Sequence, residues 1–269
     1  MNGISALIAS KDREKICEKL VRQIHTQLST LNIPFEILVC DDCSAKPYKF
    51  KSAKIIRNSE NLGAPKSRNK LITLSKFDTI FVTDDDVELG DNVLESLAET
   101  MNNSGANIVF PKKLDIYQNH TIKEYSCFKP RFFSGNLKKI LPKHLGKVKC
   151  GSMTYLAKKM YVWYDEDFGL NQFGVKGYDV RVESAMQILV EKKIVDLNCW
   201  VFHFADFFSK DKRQDLYWIG YGNALFIKRY LALGFFRSWV WICSWGVAHF
   251  LFYGRDFNIF KGWVHGMLR

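Results

Sequence analysis

The feature that most constrains this chain is an apolar run that ends in three consecutive carboxylates. Phe81-Val82-Thr83 has the composition of a buried strand, and Asp84-Asp85-Asp86, here called the acidic triplet, follows it directly. Neighbouring carboxylates repel one another, so a fold that holds them together must offset their charge. A divalent cation would do so, because Mg²⁺ and Mn²⁺ both prefer carboxylate oxygens. A solvated acidic turn is the alternative, and the triplet alone does not decide between the two.

Length and composition indicate a globular protein that attracts anions. The 269 residues are enough to bury a sizeable core, and a hydrophobic content of 47% argues against disorder. Lys and Arg exceed Asp and Glu by 39 to 28, and the resulting charge of +11 attracts nucleotide phosphates, nucleic acid or anionic lipid. The basic residues are spread along the chain without a nucleic-acid-binding motif, so we expect no nucleic-acid partner.

The start of the chain and its cysteines indicate a reducing compartment. Residues 1–10 lead straight into a charged helix start and do not resemble a signal peptide. We therefore expect a cytoplasmic protein whose seven cysteines remain thiols. Cys40 and Cys43 form a CxxC pair, but no second Cys/His pair with zinc-like spacing accompanies it. We interpret the pair as structural, with zinc binding or redox chemistry as the alternatives.

The first hundred residues alternate between strand and helix patterns. Short apolar runs predict strands at 4–8, 35–40, 54–57 and 79–83, and helices are predicted near 16–28, 66–75 and 92–101. The first helix is predicted to bury Ile16, Leu20, Ile24 and Leu28. This alternation predicts a mostly parallel sheet covered by helices, with ligands beyond the carboxyl ends of the strands. Three strands end in polar or acidic groups, which we expect at one edge: Ser10-Lys11-Asp12, Asp41-Asp42 and the acidic triplet.

Four ordered motifs resemble those of family-2 glycosyltransferases with the GT-A fold. They are Ala9-Ser10-Lys11-Asp12-Arg13, Val39-Cys40-Asp41-Asp42-Cys43-Ser44, Asn61-Leu62-Gly63-Ala64-Pro65-Lys66-Ser67-Arg68-Asn69 and the acidic triplet. The resemblance is close over residues 3–110 and weaker to about 210. Lys11 stands where the family has an aromatic residue, and Cys43 stands where it has glycine.

The resemblance implies a GT-A, Rossmann-like α/β fold with a mostly parallel sheet flanked by helices. Residues 1–110 would form the donor-binding half, and residues 111–212 the acceptor-binding and catalytic half of the same domain. Residues 213–269 would add an aromatic and basic helical segment.

The resemblance also implies a site for a nucleotide-sugar donor. Asp84 and Asp86 would hold Mn²⁺ or Mg²⁺ against the donor phosphates, while Asp85 alternates away from the cation. Asp42 matches a position that binds the base, and Arg68 matches one near the phosphates. The alternatives are a helix cap or turn aspartate for Asp42 and a surface arginine for Arg68. The implied donor-binding residues are Ser10, Asp12, Asp42, Arg68, Asp84 and Asp85.

Inverting glycosyl transfer requires a general base that deprotonates the acceptor hydroxyl. In the family this base lies in a Gly-Glu-Asp-like motif, which residues 164–168 followed by residues 173–183 resemble, with Tyr178 where glutamate is common. Asp179 is the implied base and Glu183, one helical turn later, the reserve candidate. Asp179 could also cap the helix predicted after it, and one carboxylate can do both.

His203 lies in the strand-like run Trp200-Val201-Phe202-His203-Phe204. Some GT-A enzymes use a histidine in this region as a further metal ligand, and a neutral imidazole suits that role. The alternative is a histidine satisfied within the core.

The last third of the chain is dense in aromatic and basic residues. Residues 235–253 are almost wholly apolar, but Arg237 and several polar groups interrupt them. We favour a helix in the membrane interface, with a spanning helix or a buried helix as alternatives. Residues 217–269 would then provide peripheral contact with the inner face of the cytoplasmic membrane.

Together these features predict a metal-assisted, inverting glycosyltransferase. The donor would be a UDP-, GDP- or dTDP-linked sugar, and the acceptor a hydroxyl of a cell-surface glycan or a lipid-linked molecule. Two alternatives stay open. One is an inactive sugar- or nucleotide-binding protein with the same fold. The other is a metal-dependent nucleotidyltransferase, although residues 9–13 lack the Gly-rich phosphate loop that such an enzyme would normally have.

Overall fold

The computed structural model describes residues 1–116, 122–125, 154–168, 190–204 and 257–268, together with 221, 224, 225, 229, 246 and 247. The chain divides into two compact units. The first comprises Met1–Phe128, Lys149–Tyr164 and Leu189–Phe207, and the second comprises Lys129–Val148, Asp165–Ile188 and Phe208–Arg269. This division by compactness differs from the functional division at 110 and 212 expected from the sequence, which stays a prediction.

The first unit contains all the strands that are described and three helices. In chain order they are β1 Ile4–Ser10, α1 Glu14–Thr30, β2 Phe35–Asp41, β3 Lys54–Arg57, α2 Ala64–Leu74, β4 Thr79–Thr83, β5 Val87–Leu89, α3 Val93–Ser104, β6 Ile108–Ile116, β7 Ile122–Tyr125, β8 Tyr155–Lys158 and β9 Lys193–Phe204. The predicted strands and helices of the first hundred residues are all present, with ends that differ by a few residues.

Among the described residues, the strands form one nine-stranded sheet in the order β3-β2-β1-β4-β8-β6-β9-β5, with β7 paired to β6. The first four strands are parallel, as the alternation predicts. Beyond them the sheet is mixed, because β8 runs antiparallel to both β4 and β6, whereas β9 runs parallel to β6. Two reversals restore the original direction, so β9 points the same way as β1 and β4. The carboxyl ends of β1, β2, β4 and β9 therefore lie at the same edge.

Helix α1 packs on the sheet through a face that differs slightly from the predicted one. Leu20, Ile24 and Leu28 are buried as expected, but Ile16 is 51% exposed. The helix begins at Glu14, and its buried stripe starts at Cys17. A strict spacing of four drifts away from a helical repeat of 3.6 residues, and this drift places Ile16 on the solvent side.

In the second unit, α4 spans Phe257–Leu268 and buries Ile259 and Trp263. None of the helices within the described ranges is both long and apolar enough to cross a membrane. Most of the apolar segment 235–253 lies outside the described residues, so its interfacial, spanning and buried alternatives stay predictions.

Candidate active site

The acidic triplet forms the turn between β4 and β5 at the carboxyl edge of the sheet. β5 pairs antiparallel with β9, and Val87 lies opposite His203 in this pairing. This pairing places His203 beside Val87, the residue that follows Asp86. The sequence did not reveal β5, because a strand of three residues is too short to show periodicity.

Asp84, Asp86 and His203 form a group that could hold a metal ion. One ligand atom from each residue lies within 4.8 Å of the others, and His203 Nε2 is 3.5 Å from Asp86 Oδ1. Two carboxylate oxygens suit Mg²⁺ or Mn²⁺, and the imidazole nitrogen favours Mn²⁺ within that pair because Mg²⁺ prefers oxygen ligands. These three side chains therefore fit the Mn²⁺ or Mg²⁺ ion that the sequence predicts.

Arginines already contact every carboxylate of the triplet. Arg68 Nη2 donates to Asp84 Oδ1, while Arg13 Nη1 donates to Asp85 Oδ1 at 2.9 Å and to Asp86 Oδ2 at 2.8 Å. The protein thus supplies part of the positive charge that the triplet requires. Arg13 was not among the predicted site residues. The sequence did offer one signal for Arg13. It lies in the same motif as Ser10 and Asp12, directly after a strand that ends beside the triplet.

The electrostatics of the triplet follow from burial. Burial raises the pKa of Asp85, although Arg13 and a 2.6 Å hydrogen bond from Ser10 Oγ oppose it. Burial, followed by the charge of Asp84, raises the pKa of Asp86, while His203 and Arg13 oppose that increase. Burial would lower the pKa of Arg13, but the two carboxylates outweigh it and the pKa is raised. Despite the arginines, the pKa values of Asp85 and Asp86 stay raised, so a further positive charge nearby would still stabilise their ionised forms.

The loop after β1 is fastened to the turn after β2. Tyr48 Oη hydrogen-bonds Ser10 Oγ at 2.9 Å and accepts from the Arg13 backbone N–H at 2.8 Å. Asp12 has a φ of +56°, and its Oδ1 accepts from the Ala45 backbone N–H at 2.8 Å. That bond is the main reason why the pKa of Asp12 is lowered. These contacts give Asp12 a structural role, and its role in donor binding stays a prediction.

Lys11 and Cys43, the two departures from the family pattern, contact each other. Lys11 Nζ donates to the Cys43 carbonyl at 2.9 Å, so this lysine lies over the turn after β2. Cys43 has a φ of +60°, a conformation that favours glycine, which explains why glycine is usual in the family at this position. Cys40 and Cys43 are both free thiols.

Asp42 lies at the carboxyl end of β2 with its carboxylate almost fully engaged. It accepts hydrogen bonds of 2.8 Å from Asn58 Nδ2 and from the backbone N–H groups of Leu62 and Gly63. Asp42 therefore fixes the turn that precedes α2, as in the turn-aspartate alternative. Contact with a nucleotide base stays a prediction for this residue.

Helix α2 carries Arg68 on its buried side. Arg68 is only 4% exposed, which is incompatible with the surface-arginine alternative. Its guanidinium lies 5.5 Å from the centre of the Tyr164 ring, a cation–π contact. Asn69 donates to and accepts from the Tyr164 backbone at 2.9 Å in each direction, and the Tyr164 hydroxyl hydrogen-bonds that of Tyr155. Helix, ring and carboxylate together fix the direction of the guanidinium.

The predicted base and its reserve, Asp179 and Glu183, lie outside the described residues. In the second unit, residues 165–168 of the stretch that precedes them are described and include two aspartates that pair with an arginine. Arg229 donates to Asp165 Oδ2 at 2.9 Å and to Asp167 Oδ2 at 2.6 Å. Both aspartates therefore pair with the Arg229 guanidinium, a contact that the sequence did not predict.

Comparison with known proteins identifies the family. The family model described as "Glycosyl transferase family 2" matches residues 5–161, which is more than half of the chain. No curated protein matches the chain. The chain therefore belongs to glycosyl transferase family 2.

Solved structures support the same fold. A crystal structure of S. aureus TarS 1–349 superposes with a TM-score of 0.58 at 15% identity, covering 85% of this chain and 66% of that one. The complex of TarS 1–349 with UDP-GlcNAc gives a TM-score of 0.56 at 15% identity, covering 85% of this chain and 67% of that one. The predicted GT-A fold is thus confirmed, and the chain spans about two thirds of the length of these structures.

Asp41, fully buried beside Asp42, provides a test of how the turn after β2 is held. It accepts bonds from the Ser44 and Tyr48 backbone N–H groups, at 2.9 Å and 3.3 Å, and from Arg57. Burial alone would raise the pKa of Asp41, but these partners outweigh it and the pKa is lowered. We expect Asp41→Asn to lower the free energy of unfolding at neutral pH by about 2 kcal/mol, measured by urea unfolding.

The loss of stability in Asp41→Asn should depend on pH. A lowered carboxylate pKa stabilises the fold above the ordinary pKa, and the contribution disappears as the pH falls through the folded-state value. The difference between wild type and Asp41→Asn should therefore shrink below about pH 4. Asp78→Asn, which changes an exposed aspartate, is the control and should show no such difference. A gap that stays constant down to pH 2.5 (roughly one unit below the ordinary Asp value) would contradict this account.

Proposed function

We propose that this chain is a metal-dependent, inverting glycosyltransferase. It would transfer a sugar from a nucleoside diphosphate to a hydroxyl of a cell-surface glycan or a lipid-linked acceptor. The observation that carries this proposal is the group of Asp84, Asp86 and His203 at the carboxyl edge of a GT-A sheet. In open α/β sheets this edge is where ligands bind, which supports a diphosphate site beside these three residues.

Asp84, Asp86 and His203 would hold Mn²⁺ or Mg²⁺. When bound there, the cation would neutralise negative charge on the departing diphosphate, which is the main electrostatic requirement of the reaction. A nucleotidyltransferase would need the same chemistry. The family match over residues 5–161 favours glycosyl transfer over that alternative.

The chain's own residues would bind and orient the donor. Arg68 is held by Asp84 and Tyr164, and its planar guanidinium suits a phosphate oxygen. Ser10 and Asp85 are hydrogen-bonded to each other beside the triplet, and Asp12 and Asp42 fix the neighbouring turns. We propose that these residues shape the donor pocket and that Asp42 or its turn contacts the base.

The TarS structures suggest which nucleotide of the sugar donor to test first. Structures of TarS include complexes with UDP and with UDP-GlcNAc. We therefore propose a UDP-linked sugar as the first donor to test, with GDP- and dTDP-linked sugars as the other candidates.

Asp179 is our proposed general base, with Glu183 in reserve. In an inverting transfer the acceptor oxygen attacks the anomeric carbon, the bond to the diphosphate breaks, and the hydroxyl proton passes to the base. A carboxylate is suited to this step, since it is ionised at neutral pH and has only to receive one proton.

We also propose peripheral contact with the inner face of the cytoplasmic membrane through residues 217–269. The net charge of +11 and the aromatic, basic composition of this segment support the proposal. A lipid-linked acceptor would give such contact a purpose.

The metal assignment is tested with Asp86→Ala. In thermal-shift assays, a UDP-, GDP- or dTDP-sugar should raise the melting temperature of the wild type more strongly when Mn²⁺ is present. Asp86→Ala should lose this Mn²⁺-dependent part and reduce donor hydrolysis or transfer by about 100-fold or more, because one of two carboxylate ligands is gone.

Glu88→Ala removes an equal charge from β5 at a residue that pairs with Lys19, and it should behave as wild type. Unchanged turnover in Asp86→Ala would refute the metal assignment. Donor binding without any turnover in the wild type would favour the inactive sugar-binding alternative.

The base is tested with Asp179→Asn. We expect transfer to fall by about 10²–10⁴-fold while donor affinity is retained, because only proton transfer is removed. Glu183→Gln serves as the comparison and should keep most of its activity. If Glu183→Gln is inactive and Asp179→Asn is not, the base is Glu183.

Membrane contact is tested with the full-length chain and sedimented lipid vesicles. We expect co-sedimentation with vesicles rich in anionic phospholipid at low salt, and weaker binding at high salt, since screening reduces the attraction of basic residues. Vesicles of neutral phospholipid are the control. A protein that stays in the supernatant with anionic vesicles at low salt would show that the interfacial proposal is wrong.

A further inference from the structure

Arg13 and His203 contact different oxygens of Asp86, one of the proposed metal ligands. Its Nη1 donates to Asp86 Oδ2 at 2.8 Å, while Asp86 Oδ1 lies 3.5 Å from His203 Nε2. The same nitrogen also donates to Asp85 Oδ1 at 2.9 Å. A single guanidinium nitrogen thus bridges two carboxylates of the acidic triplet.

The backbone of Arg13 is fixed, whereas its side chain is accessible. The Arg13 backbone N–H donates to Tyr48 Oη, and the neighbouring Asp12 N–H donates to Ser44 Oγ, both at 2.8 Å. The Arg13 side chain is nevertheless 42% exposed, compared with 5% for Arg68. Arg68 is buried and also contacts the Tyr164 ring. The Arg13 guanidinium can therefore be reached from solvent, while hydrogen bonds hold the loop that carries it.

We propose that Arg13 is a resident counter-cation of the acidic triplet, which opposes divalent cation binding until a nucleoside diphosphate engages it. The inference rests on the proposed function, because it concerns the same cation site. A cation held by Asp86 would share that carboxylate with the guanidinium, and two positive groups on one carboxylate repel each other. Arg13 therefore lowers the affinity of the site for a cation as long as it stays paired.

The donor supplies the partner that releases Arg13. A diphosphate brings several anionic oxygens, and a guanidinium forms strong, geometrically matched hydrogen bonds with them. When Arg13 pairs with a phosphate, its repulsion of the cation is replaced by attraction between the cation and the diphosphate. Donor and cation then strengthen each other's binding, and by linkage the effect is equal in both directions. This arrangement favours loading of the cation together with the donor.

The test is Mn²⁺ binding followed by electron paramagnetic resonance of free Mn²⁺, first without and then with UDP. Without UDP, Arg13→Ala should bind Mn²⁺ about tenfold more tightly than the wild type, which corresponds to about 1.4 kcal/mol of removed repulsion. UDP should tighten Mn²⁺ binding strongly in the wild type and less in Arg13→Ala. Arg13→Lys keeps the charge and should stay near the wild-type affinity.

Arg22→Ala is the matched control. Arg22 lies on the exposed face of α1 and pairs with Glu18 of the same helix at 3.6 Å, so its loss changes the net charge equally but away from the site. It should leave Mn²⁺ binding unchanged. Arg13→Gln guards against poor folding of Arg13→Ala, because its amide can still donate to Asp85 while the charge is removed. Thermal unfolding without Mn²⁺ confirms that each variant is folded.

The outcomes separate this inference from the proposed function. If the wild type binds Mn²⁺ through a site that Asp86→Ala removes, but Arg13→Ala and Arg13→Gln bind it with equal or lower affinity, Arg13 does not oppose the cation and the inference is wrong. If the wild type shows no Mn²⁺ binding that depends on Asp86, with or without UDP, both the inference and the metal assignment fail. Tighter binding in both neutral variants, with a smaller effect of UDP, supports the inference.

Discussion

The candidate site depends on the pairing of two arginines with the three carboxylates after β4. Arg68 reaches Asp84 from α2, and Arg13 reaches Asp85 and Asp86 from the loop after β1. Without these cations, three adjacent carboxylates at a buried strand end would repel one another strongly. The pairing also ties together α2, β1 and β4, the elements that any donor phosphate at this edge must contact. Charge compensation and site geometry therefore have the same physical origin.

The sheet brings a distant histidine to this charge cluster by a topological route. Two antiparallel pairings, β4 with β8 and β8 with β6, return β9 to the direction of β4. The carboxyl end of β9 therefore lies at the donor edge, and β5 places His203 beside the turn through its pairing with Val87. A strand of only three residues, β5, is enough to make this connection.

Much of this could be predicted from the sequence because it depends on local patterns. The alternation of apolar runs and amphipathic stretches predicted the four parallel strands, and parallel strands share one carboxyl edge. The same reasoning could not find β5, whose three residues show no pattern, nor assign Arg13 to two carboxylates more than 70 positions away. It also misplaced Ile16, because a spacing of four only approximates the helical repeat. The pairing of β5 and the contacts of Arg13 are set by tertiary structure rather than by local periodicity, which is why the sequence did not show them.

The arginine pairs also separate the stability of the fold from the binding of a cation. A carboxylate cluster that relied on a metal for charge compensation would make folding depend on the metal. Here Arg13 and Arg68 provide part of that compensation, and Ser10 gives Asp85 a further hydrogen bond. Yet burial still raises the pKa of Asp85 and Asp86, so the compensation is incomplete. The negative charge that the arginines leave uncompensated is what remains to attract a cation.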